Sequence, residues 1–61
     1  MKHTLIINTN NDSIIEAFSS DVAWLPLFVG DFVSNEPYMY VVTERTFVIE
    51  DDRLEIRVHR V

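Results

Sequence analysis

The sequence predicts an α+β fold: a small antiparallel sheet of three or four strands with one short amphipathic helix packed on one face. Three observations carry this expectation. Residues 53–60, "RLEIRVHR", alternate apolar and polar side chains, the period of a strand with one wet face. Residues 13–25 return apolar side chains to one helical face behind a serine placed to cap it. Hydrophobic residues make up 48% of the chain, with one glycine and two prolines, which is too rich for disorder and too poor in breakers for long linkers.

The elements follow in order. "HTLIIN", residues 3–8, is β-branched and apolar on both sides, so it reads as a strand covered on both faces. "NTNND" breaks it, because Asn and Asp satisfy turns with their own side chains. "SIIE" then fits a capping box, which starts a helix at Ser13. Ile14, Ile15, Ala17, Phe18, Val22 and Leu25 supply its stripe, and Pro26 ends it near Trp24. A weaker alternative divides this region into two short helices after Ser20, where "SSD" offers a second cap.

Beyond Pro26, "LFVGDFV" has the composition of a strand, and Gly30 marks a bulge or tight bend in it. "SNEP" is a turn. "YMYVVT" is a strand with apolar side chains on both faces, which suits a central position or cover by a partner subunit. "TFVIE" and "RLEIRVHR" form a hairpin around Asp51 and Asp52, with Leu54, Ile56 and Val58 inward and Arg53, Glu55, Arg57 and His59 outward. No repeat or boundary interrupts residues 1–61, so the expectation is a single compact domain.

A 61-residue chain buries only about 60% of its unfolded surface and is marginal on its own. Small domains of this kind rely on disulfides, metals or association. Cysteine is absent, which leaves association and predicts a homo-oligomer, most simply a homodimer. No apolar run approaches the roughly 20 residues that cross a bilayer, and "MKHTLIINTN" turns polar too soon for a signal peptide. The expected location is the cytoplasm, without membrane contact.

Ten acidic residues against five basic ones give a net charge of −5. Binding to a phosphate backbone depends on Lys and Arg displacing counterions, so direct nucleic-acid binding is not expected. A partner protein with a basic surface is electrostatically favoured. Glu50, Asp51 and Asp52 lack the spaced oxygen ligands of a calcium loop. His3 and His59 would approach only if the first and last strands were neighbours, and neither has the ligand spacing of a zinc site. No nucleophile elbow or phosphate-cradling loop is present. These observations predict no enzyme activity, no metal and no cofactor.

The aromatics remain. One helix over one sheet has a single inner face, and the helix stripe with Leu5, Ile7, Leu54, Ile56 and Val58 already competes for it. Trp24, Phe28, Phe32, Tyr38 and Tyr40 therefore become candidate interface anchors, and Asp31, Glu36 and Glu44 candidate determinants of charge preference. The function expected from this pattern is a small acidic inhibitor or adaptor that binds another protein, of the kind encoded by phages and mobile elements. Two alternatives are an acidic mimic of nucleic acid, which needs carboxylates spaced like phosphates on one face, and an accessory subunit of an enzyme.

Overall fold

The structure, a computed structural model, describes all residues 1–61. It is one mixed five-stranded sheet curled into a half-barrel, with no α-helix. The strands are β1 (Lys2–Asn8), β2 (Ser13–Ser20), β3 (Phe32–Asn35), β4 (Tyr38–Val48) and β5 (Arg53–Arg60), and a 3₁₀ turn at Ile49–Asp51 joins the last two. Their order across the sheet is β2-β1-β5-β4-β3. An N-terminal hairpin and a C-terminal meander are thus joined along β1 and β5, the one parallel pair.

The α+β expectation is therefore overturned, and the reason lies in residues 13–20. This segment is the edge strand β2, not a helix. A register shift opposite Ile6 and Ile7 leaves Ile15 as an extra residue, and a bulge of this kind resets the alternation of a strand. The apolar side chains at 14, 15, 17 and 18 then imitate helical spacing. Intrinsic preference also favours a strand, since Ile, Phe and Ser are middling helix formers and only Glu16 and Ala17 are strong ones. Ser13 caps no helix; its amide and hydroxyl both donate to Asn11 Oδ1, at 3.1 and 2.6 Å.

The inner face of the half-barrel holds the core. Leu54, Ile56 and Val58 are 0% exposed, and Ile6, Tyr40 and Val42 complete the buried cluster. Parallel pairing sets Thr4 beside Leu54, Ile6 beside Ile56 and Asn8 beside Val58. Beyond Val42 a second irregularity, at Thr43, shifts the alternation of β4, so Arg45 lies opposite Ile56 and Phe47 opposite Leu54. The alternation expected for β5 holds: Arg53, Glu55 and Arg57 lie on the outer face.

Residues 21–31 do the covering that the expected helix was to do. They run without regular structure from one edge of the sheet to the other, and Trp24, Leu25 and Leu27 pack against the core. Backbone groups in such a segment need partners, and they find them in the sheet. The Leu25 amide donates to Thr4 Oγ1 at 3.0 Å and Arg45 Nε donates to the Leu27 carbonyl at 2.9 Å, while the Trp24 side chain is tied down separately by its indole donating to the Asp52 carbonyl at 3.4 Å. Gly30, with φ of +96°, sits in the tight turn that delivers the chain to β3. Its amide donates to the Val42 carbonyl, and the Val42 amide returns to the Asp31 carbonyl, both at 2.9 Å.

The first and last strands are neighbours, but because they run parallel, His3 is level with Arg53 while His59 lies beside Val41 at the other end of the sheet. No helix is long and apolar enough to cross a membrane.

Thr4 is 1% exposed, and its hydroxyl is the acceptor that ties residues 21–31, a strap over the inner face, to the sheet. Thr4→Val keeps the shape and adds a methyl group but leaves the Leu25 amide without its partner. We expect a loss of about 1–2 kcal/mol in urea denaturation. A stability equal to the parent would show that the strap is held by apolar contact alone.

Candidate functional site

The side chains above the adjoining ends of β4 and β5 form a continuous ridge of two cations and three rings. Lys2 Nζ lies 5.2 Å from the centre of the Trp24 ring, and Trp24 meets Phe47 edge-on at 5.0 Å and 75°. The Arg45 guanidinium lies 5.0 Å from Phe47 and 4.7 Å from Phe28. Each exposed cation–aromatic contact contributes about 0.5–1 kcal/mol and an aromatic pair about as much. These contacts fix the rings in place without burying them.

Local sequence explains the placement. The shift at Thr43 turns Arg45 and Phe47 to the inner face, where the strap lies. The Phe28 amide donates to Asp31 Oδ2 at 2.8 Å and the Asp31 amide returns to the Phe28 carbonyl at 3.0 Å, which closes the turn that presents Phe28. Trp24 is half-buried because it also packs on the core. Phe47 and Phe28 remain 46% and 54% exposed, and Ile49, on the 3₁₀ turn, 87%. Trp24, Phe47, Val48 and Ile49 line an open apolar groove of about 240 Å³, with Asp52 and Arg53 at its side.

The residues singled out in the sequence are divided by the fold. Trp24, Phe28 and Asp31 come together on the ridge. Phe32 is exposed on β3, paired with Val41. Glu36 lies in the β3–β4 turn, and Tyr38 begins β4 at the far end of the sheet. Tyr40 is a core residue. Glu44 is on the outer face, 4.0 Å from Arg57. Phe47 and Ile49 were not among those residues, because in sequence they read as part of the hairpin strand "TFVIE", and Arg45 falls outside the strands read there. Their signal was the odd-numbered spacing of Arg45, Phe47 and Ile49.

The outer face is a network of ion pairs. Arg53 contacts Asp51 and Glu55 at 3.3 and 2.9 Å, and Arg57 contacts Asp12, Glu44 and Glu55 at 3.6, 4.0 and 3.8 Å. Such pairs, partly exposed, contribute about 0–1 kcal/mol each. Comparison with protein-family models, with curated proteins and with solved structures finds no match to this chain.

Arg45 holds two rings and a strap carbonyl with one planar group, a geometry that an ammonium cannot reproduce. Arg45→Lys is expected to lower stability by about 1 kcal/mol and to change the near-ultraviolet circular dichroism of Trp24. An unchanged spectrum and denaturation midpoint would mean that the ridge is not ordered by this contact.

Proposed function

We propose that this chain is a small, non-catalytic, cytoplasmic protein that works by binding another protein through the ridge of Trp24, Phe47, Phe28 and Ile49. The observation that carries the reading is the exposure of Phe47, Phe28 and Ile49 around the half-buried Trp24, beside a groove open to receive a partner side chain. Exposed apolar groups in contact with one another are a mark of association, and rigid aromatic side chains are frequent anchors. Glu50, Asp52 and Asp31 border the ridge and form none of the chain's ion pairs, so the favoured partner has an apolar projection ringed by Lys or Arg.

Sheet edges are the other common route to association, and here both are blunted. β2 carries a bulge, and Glu16 Oε1 accepts the Ala17 amide at 3.3 Å; β3 is four residues long. Bulges, inward charges and short strands all discourage edge pairing. A homodimer, if the partner complex contains one, draws on a second apolar group, Phe32 and Met39, exposed on the outer face. The acidic-mimic alternative gains little support, since Asp12, Glu44, Asp51 and Glu55 are engaged by arginines rather than aligned as a free carboxylate stripe.

Phe28→Gln and Ile49→Gln remove ridge anchors without touching the buried cluster. We expect each to weaken partner capture by about 2 kcal/mol, roughly 30-fold, with the circular dichroism unchanged. Undiminished capture by both variants would overturn the assignment. Sedimentation of the chain at decreasing concentration tests the homodimer, and a constant mass of 7.2 kDa would exclude it.

A further inference from the structure

At the end of the half-barrel away from the ridge, the β1–β2 turn faces the β3–β4 turn across an open cleft of about 570 Å³. That volume lies within the roughly 300–1,000 Å³ of pockets that enclose small ligands. Its lining differs from the rest of the inner face, for it is built mainly of amides, hydroxyls and one residue of each charge.

Two of the lining residues are more than nine-tenths buried yet present a free polar atom. Asn8 is 8% exposed, and its Oδ1 accepts the Asn10 amide at 2.9 Å, while its Nδ2 has no partner within the chain. Tyr40 is 5% exposed with its ring in the core, and its hydroxyl takes part in none of the side-chain hydrogen bonds. No buried side-chain polar atom lacks a partner. Both free atoms therefore reach solvent, and the solvent they meet is that of the cleft. A third donor stands beside them: the Arg60 guanidinium stacks on Tyr38 at 4.6 Å and makes no ion pair.

We propose that this cleft is a binding site for a neutral saccharide. Arg60 and Glu36 line it together, so their charges cancel and a bare anion meets a carboxylate as well as a guanidinium. What remains are carboxamides and hydroxyls, which both donate and accept, as sugar hydroxyls do. Asn11 extends the set: its Oδ1 is occupied by Ser13, which leaves its Nδ2 free. Tyr38, half-exposed and with the Arg60 guanidinium over one face of its ring, leaves its remaining ring surface for the C–H face of a pyranose. The cleft and the ridge lie at opposite ends of the sheet, so this inference does not depend on the protein-binding reading.

The test is titration of the full chain with maltose, lactose and N-acetylglucosamine to tens of millimolar, followed by ¹H–¹⁵N correlation spectra, with sodium phosphate and sodium acetate as parallel probes. We expect at least one sugar to shift the Asn8 and Asn11 side-chain amide signals saturably. Tyr40→Phe keeps the buried ring and removes only the hydroxyl, and Arg60→Met removes the guanidinium. Each is expected to weaken that binding about tenfold, while Phe28→Gln on the ridge leaves it unchanged. Silence of these signals with all three sugars would overturn the proposal. So would saturable shifts with phosphate or acetate alone, which would make the cleft an anion site, or equal sugar affinity in Tyr40→Phe and Arg60→Met.

Discussion

Everything in this molecule hangs on the parallel pairing of β1 with β5. The N-terminal hairpin and the C-terminal meander each have an apolar inner face, and the two-stranded hairpin is at best marginal on its own. Side by side, they align Thr4, Ile6 and Asn8 with Leu54, Ile56 and Val58, and the buried cluster forms along that seam. Parallel pairs are slightly weaker per residue than antiparallel ones and are normally buried on both faces. The seam meets that condition through the strap on the inside and, on the outside, the Arg53–Glu55–Arg57 network over Leu5 and Ile7.

The strap shows how a chain this short covers a sheet without a helix. A helix satisfies its own backbone, whereas an irregular segment must borrow partners from the surface it covers. Here the sheet lends a threonine hydroxyl, an arginine and the carbonyl of Val42. The same arginine orients Phe28 and Phe47. Cover for the core and display of the ridge are thus one set of contacts.

How much of this was legible in the sequence depends on how local each feature is. The β5 alternation was readable because one of its faces is wet along its length. β1 was readable as a doubly covered strand, but its neighbour was not, since a partner so far along the chain leaves no short-range signal. β2 was misread because its bulge at Ile15 erases the period of two, and the strap because it has no period at all. At the candidate site, Trp24 and Phe28 stood out as aromatics with no obvious place in the core. Phe47 and Arg45 did not, because the shift at Thr43 that turns them inward is invisible in composition. Tyr40 went the other way: it has the look of an anchor, and its ring fills the core.

The seam also dictates when the fold can come into being. His3 waits for Arg53 and Asn8 for Val58, so the central pair cannot begin to close until the chain has been synthesised into β5. Until then the emerging N-terminal hairpin carries Ile6, Ile7 and Phe18 with nothing to cover them. Pairings so distant in sequence slow the search for the native state, and uncovered strands in the interim invite aggregation. The blunted edges of β2 and β3 protect the finished sheet, and on β2 the Glu16 carboxylate offers the same protection to the unfinished hairpin, during the interval in which translation has supplied β1 its hairpin mate but not yet its central neighbour.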